Sequence, residues 1–214
     1  MSMKALLLIL LAGWLAYLGE IYSLMLPHYQ TIRRKIPARS LVTVLFATLA
    51  TTIAIWQNEM WLSRIFLALW SVVLTLVTVI DIETHSIPDV LIWPATGVAL
   101  VASLIDPRLT FTSSLFGTLI GFLLFYMLYC IGGLRYKNGL GLGDVHLSTF
   151  IGAITGLEFI LDSLLIGIMA SGVVILFLLA TKKVTLNSYL PYAPYLCFGG
   201  WVGMQSIGLG SLSM

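Results

Sequence analysis

Trp70-Ser71-Val72-Val73-Leu74-Thr75-Leu76-Val77-Thr78-Val79-Ile80 is an apolar run that stops abruptly at Asp81-Ile82-Glu83-Thr84-His85-Ser86-Ile87-Pro88-Asp89. The run closes an apolar stretch over 61–80, long enough for a membrane-spanning helix, which needs about 20 apolar residues. A carboxylate at such a boundary is expensive to keep ionised, roughly 2.5–3.5 kcal/mol at a helix centre, so its presence asks for a function. The same motif type returns as Gly139-Leu140-Gly141-Leu142-Gly143-Asp144-Val145-His146-Leu147, where the polar signature opens an apolar run instead of closing one. If the two aspartates meet, they form an acid/base pair able to activate water. That chemistry implies no metal ion and no organic cofactor.

The remainder of the chain points to the same environment. Of its 214 residues, 59% are hydrophobic and 9% charged, where a soluble domain carries about 25% charged residues. Such a chain cannot cover a water-facing surface. It is therefore expected to be an all-α polytopic membrane protein, with lipid as its surroundings. The formal charge of +2 gives no reason to expect nucleic acid as a partner. Cys130 and Cys197 lie in apolar context without CxxC spacing and read as small buried hydrophobes.

Hydropathy places about eight spans, at 5–26, 41–57, 61–80, 88–105, 110–132, 144–161, 163–181 and 189–209, with seven as the alternative count. The first follows Lys4 and has a signal-peptide look, but its length and Glu20 favour a retained span. Residues 1–60 form a two-span segment with a short basic loop, and 61–214 a helical core carrying both aspartates. Arg33, Arg34, Lys35, Arg39, Arg135, Lys137, Lys182 and Lys183 all fall on odd-numbered connections, whereas the even-numbered ones carry only Arg108. The positive-inside rule then puts loops 27–40, 132–143 and 182–188 in the cytoplasm and both termini outside. Asp81 and Asp144 fall on that same cytoplasmic face, although the span count did not use them.

Each acid also has a plainer reading. Asp144, after glycines that suit a tight turn, reads as a capping residue whose oxygens take orphan N–H groups. Asp81 ends a helix, where the dipole gives a carboxylate no help, and reads otherwise as a solvated residue at the membrane edge. Ser86 and Pro88 have the chemistry of a helix start, cap and first turn, and Asp89 suits that first turn structurally. Trp56, Trp61, Tyr189, Tyr192 and Tyr195 read as interfacial anchors. Gly117/Gly121 and Gly152/Gly156 have the small-xxx-small spacing of closely packed helices.

Asp81 to Asp89, D-I-E-T-H-S-I-P-D, resembles the first motif of type IV prepilin peptidases, and Gly141-Leu142-Gly143-Asp144 their GxGD motif. Leu190-Pro191-Tyr192-Ala193-Pro194-Tyr195 is similar to the segment that starts the last helix of that family. The resemblance runs over roughly 61–205. It implies an intramembrane aspartyl peptidase that removes the basic leader of prepilins and pseudopilins at the cytoplasmic face of the inner membrane. Asp81 and Asp144 would be the catalytic pair, with Glu83, Asp89, Gly141, Gly143, His146 and Pro191 supporting or binding substrate. Many bacterial members also methylate the new N-terminus and carry paired CxxC zinc motifs in a longer first cytoplasmic loop. Here that loop has no cysteine, so a peptidase without methyl transfer is expected. His146 stands where the family usually has lysine. Two rival readings remain: a repurposed homologue serving as a membrane-complex subunit, and a cation-coupled transporter. The latter calls for acids nearer the bilayer midplane.

Overall fold

A chain this apolar has one local way to satisfy its backbone in hydrocarbon, the α-helix. The structure is a computed structural model describing residues 3–25, 39–56, 60–135, 141–182 and 191–210, and its regular elements are all helical. They are α1 (Met3–Met25), α2 (Arg39–Trp56), α3 (Trp61–Thr84), α4 (Asp89–Ala102), α5 (Phe111–Arg135), α6 (Leu142–Ala180) and α7 (Ala193–Gly210). Among the described residues, α3, Phe111–Gly133 of α5 and α6 are long and apolar enough to cross a membrane. The protein is a polytopic all-α membrane protein. Most of the basic loop residues used for orientation, Arg33, Arg34, Lys35, Lys137 and Lys183, lie outside the described residues, as does the side chain of Glu20.

α3 is the central post. Leu67, Trp70, Val73, Leu74 and Val77 on it join one core with residues of α4, α5, α6 and α7. Its other flank, Val72 and Leu76, packs on Ala12 and Ala16 of α1 and Ala47 of α2. α5 and the first part of α6 approach backbone to backbone, as the glycine spacing predicts. A Cβ on Gly117 would meet the Gly152 carbonyl oxygen, and one on Gly121 the Ser148 carbonyl oxygen. Two hydroxyls stitch the same seam: Ser114 donates to the Ala153 carbonyl at 2.6 Å and Ser148 to that of Gly121 at 3.0 Å.

Two expectations about the spans need correction. The fourth helix has 14 residues, about 21 Å, and not the full 88–105. Its chain turns off because Asp106 is held near the start of α3, accepting from Ser63 at 3.2 Å and pairing with Arg108 at 2.7 Å. The turn expected at residue 162 lies instead inside α6, at Gly156 (φ 71°, ψ −179°). A straight helix would hold Ile151 and Gly167 about 24 Å apart, yet they pack on the adjacent residues Gly200 and Gly199 of α7. Residues 142–155 and 157–180 are therefore two antiparallel halves. Seven elements accommodate the eight expected rods. α7 lies along both halves, with Gly200 against Ile151 of the first and Gly199 against Ser163 and Gly167 of the second.

Gly156→Val should lower the thermal midpoint in detergent clearly. A side chain at positive φ costs about 1–3 kcal/mol, and a Cβ here would also strike Leu109 and Ser113. Gly172 has nothing within 4 Å, so Gly172→Val is the matched control and should shift the midpoint little. Equal midpoints for the two variants would show that the reversal does not depend on Gly156.

Candidate active site

Helix α3 runs through Asp81 and ends only at His85, which adopts the left-handed conformation (φ 52°, ψ 34°) and donates its N–H to the Asp81 carbonyl at 2.8 Å. Thr84 reaches back to the Ile80 carbonyl at 2.8 Å and receives the Ser86 hydroxyl at 3.1 Å. Ser86 therefore closes the turn after α3; it does not cap α4, whose N-cap is Pro88 in extended conformation. The segment delivers Asp89 to the first turn of α4, where its carboxylate meets His146 Nδ1 at 2.7 Å. The ring of His146 also leans on Trp93, with centroids 5.0 Å apart.

Asp144 arrives from the other side. Gly141 is the N-cap of α6, and Asp144, in the first turn, accepts the Gly141 N–H at 3.2 Å through Oδ2. This is the acid half of a capping box. Gly143 is tight for a reason: a Cβ there would come within 3.0 Å of Ile87. The GxGD segment and the loop after Asp81 thus pack against each other, and both carboxylates line one cavity of ≈ 260 Å³. The charge of Asp81 acts directly on Asp144.

Asp81 is 5% exposed and is not isolated. Its Oδ2 accepts the N–H of Ala193, the first residue of α7, at 3.2 Å. Considering α3 alone put Asp81 at the unfavourable end of a helix. Here the positive end of α7, with its orphan N–H groups, faces the same carboxylate. Both acids consequently sit at helix N-termini, one in its own helix and one against a neighbour.

The cavity gathers Asp81, Asp89, Gly141, Gly143, Asp144 and His146. Glu83 does not join them. Two positions on from Asp81 it points about 200° away around the helix, and it is buried at 4% exposure outside the cavity lining. Pro191 also falls outside the lining, immediately before a residue that is part of it, Tyr192. Tyr192 lines the cavity, although the sequence reads as placing it among interfacial anchors. Its hydroxyl lies near Ser171, and burial together with the nearby Asp144 charge pushes its pKa up to about 12. The phenol is neutral at any physiological pH and keeps a proton to donate. The usable signal was its place between Pro191 and Pro194, two residues that fix the backbone ahead of a helix.

A family profile described as the type IV leader peptidase family fits residues 65–178, the stretch that carries both acids of this cavity. The chain belongs to the type IV leader peptidase family. Individual relatives are more distant. The chain is 31% identical over 172 residues (79% of this chain, 60% of the relative) to the "Type 4 prepilin-like proteins leader peptide-processing enzyme" of Escherichia coli O78:H11. It is 25% identical to proteins named "Prepilin leader peptidase/N-methyltransferase" from Pseudomonas putida, over 63% of this chain and 46% of the relative. The corresponding shares for the Pseudomonas aeruginosa protein of that name, also 25% identical, are 59% and 44%. The chain thus spans about half the length of the curated relatives it matches. No solved structure matches it. The matched family region includes both aspartates and stops short of Tyr192.

The Tyr192–Ser171 contact joins the returning half of α6 to the approach of α7. Ser171→Ala also removes the bond from Ser171 Oγ to the Ile168 carbonyl and should destabilise by about 0.5–1.5 kcal/mol, and adding Tyr192→Phe should cost less than the sum of the two single losses. Detergent-denaturation midpoints of the four proteins test this; fully additive losses would mean that the two side chains do not interact.

Proposed function

We propose that the protein is an aspartyl endopeptidase that removes the basic leader from a prepilin-like or pseudopilin precursor at the cytoplasmic face of the inner membrane. The observation that carries this reading is the convergence of Asp81 and Asp144 on one cavity. The names of the relatives, leader peptidase and leader peptide-processing enzyme, supply the substrate class.

The chemistry follows from two carboxyl groups that share one charge environment. One carboxylate takes a proton from water as the water oxygen attacks the scissile carbonyl carbon. The other, protonated, donates to the carbonyl oxygen as it becomes tetrahedral. Collapse of that intermediate breaks the C–N bond, and the departing nitrogen receives the proton held by the first acid. The Ala193 N–H and the Gly141 N–H hold the two carboxylates in orientation. Asp89, whose side chain is 59% exposed at the cavity, adds negative charge where a basic leader would lie. Support for the membrane orientation comes from Arg108. Asp106 neutralises it in a largely buried pair, so the one basic residue of the even-numbered connections carries no net charge to that face.

Asp81→Asn and Asp144→Asn should each abolish leader cleavage, a loss of roughly 10²–10⁴-fold or more, in folded and membrane-inserted protein. Asparagine keeps the shape but cannot exchange a proton. Asp89→Asn should retain most activity. Cleavage of a prepilin by either of the first two variants at near wild-type rate would remove the dyad, whereas complete loss in the third would move the catalytic role to Asp89.

Cleavage should proceed without N-methylation, because the connection over 27–40 carries no cysteine to bind zinc. Incubation with prepilin and labelled S-adenosylmethionine should yield shortened, unlabelled product. Label on its N-terminus would overturn this expectation.

A further inference from the structure

A second cavity, ≈ 390 Å³, opens sideways between α2, α3 and α7. α2 and α7 both pack on α3, which forms its floor, with Ser71, Leu74, Thr78 and Ile82 facing into it. From Ser71 to Ile82 the groove is about 16 Å long, three turns of helix. One wall presents Phe46 and Leu49 of α2, at 61% and 60% exposure, and the other Phe198 of α7, at 52%. One end of the groove lies beside the candidate active site, although the two cavities share no lining residue. Ile82 follows Asp81, and Pro194 follows the residue whose N–H binds Asp81.

At its far end the groove is not purely apolar. Ser71 Oγ, in a residue 1% exposed, and Trp201 Nε1 have no hydrogen-bond partner among the described residues. Each is a polar atom held in a membrane environment where an unmet hydrogen bond is costly. A lipid acyl chain satisfies neither. A transmembrane peptide carrying a small polar side chain at that depth satisfies both kinds of requirement, apolar bulk along the walls and a hydrogen bond at the end.

We propose that this groove seats the apolar helix of the precursor that follows the scissile bond. The proposal rests on the peptidase reading, since a chain cut at Asp81 and Asp144 must continue from the cavity into the bilayer. The groove runs from beside Asp81 along α3. The leader lies in the first cavity, the mature helix in the second, and the precursor residue about three turns beyond the cut meets Ser71 and Trp201.

The test uses the full chain with Asp144→Asn, reconstituted with a single-span prepilin in vesicles of phosphatidylethanolamine and phosphatidylglycerol. p-Benzoylphenylalanine placed at Leu49 or Phe198 should crosslink to the precursor helix, and at Leu165, on a lipid-facing side of α6 at 54% exposure, should not. Equal yield from Leu165, or adducts to lipid alone from the groove positions, overturns the proposal. Independently, Ala50→Trp fills the groove from the α2 side. It should lower the ratio of kcat/KM for the membrane-embedded precursor over a soluble leader peptide lacking the apolar helix by about tenfold or more, the loss of a buried anchor contact. An unchanged ratio also overturns it. Wild-type protein that crosslinks from the groove yet cleaves neither substrate would support the docking site while removing the peptidase reading.

Discussion

Because Gly156 holds φ at 71° and ψ at −179°, the helix that Asp144 starts at the cavity ends there, and the chain returns along its own side. A helix of 39 residues drawn straight would measure about 58 Å, nearly twice the hydrocarbon thickness of about 30 Å. The reversal instead gives α7 two surfaces to pack on and brings Ser171 back to the level of Tyr192. It also exposes a backbone N–H at the break, that of Leu157, which donates to Ser113 Oγ at 3.0 Å. The bond comes from α5, so the helix packed against the first half also closes the turn. In a bilayer interior such a side-chain acceptor is what makes a broken helix tolerable.

Hydropathy located the rods well where their ends are polar. α1, α2, α3 and α5 begin and end within a few residues of the apolar stretches, since charged or polar residues bound each of them. The reversal in α6 was displaced because an apolar window carries no information about φ. Asp162 is the conspicuous polar residue of that region, and it is simply exposed, while the turn uses a glycine inside the apolar run. The short α4 was hidden for a different reason. Leu104 and Ile105 continue the hydrophobic run but lie in a turn, and what ends the helix is a tertiary contact, the capture of Asp106 by Ser63.

At the site the legible part was residue identity and the illegible part was partnership. Asp81, Asp144, Asp89 and His146 were all marked by carboxylate or imidazole chemistry at helix edges, and they surround one cavity. Glu83 had the same mark and fell on the other side of α3, because helical phase separates neighbours two apart. The dipole argument for Asp81 was incomplete because it considered one helix. A carboxylate at the C-terminal end of α3 is held by the N-terminal end of α7, a pairing between residues far apart in sequence. Tyr192 escaped for a related reason: an aromatic beside a predicted membrane boundary has a ready explanation as an anchor, and only the return of Ser171 reveals another.

α7 joins the two cavities, and its sequence divides accordingly. Gly199, Gly200 and Gly203 face α6 so closely that a Cβ on any of them would press on Ser163, Gly167, Ile151 or Thr155. These absent side chains let one helix touch both halves of the reversed element. The opposite side carries Pro194, Cys197, Phe198 and Trp201, which line the groove. Bulk on both sides would push α7 off α6 and pull the Ala193 N–H away from Asp81. Bulk on neither would leave the groove without a wall. The asymmetry of α7 therefore fixes the position of the Asp81 carboxylate and the shape of the adjoining surface together, through one rigid helix.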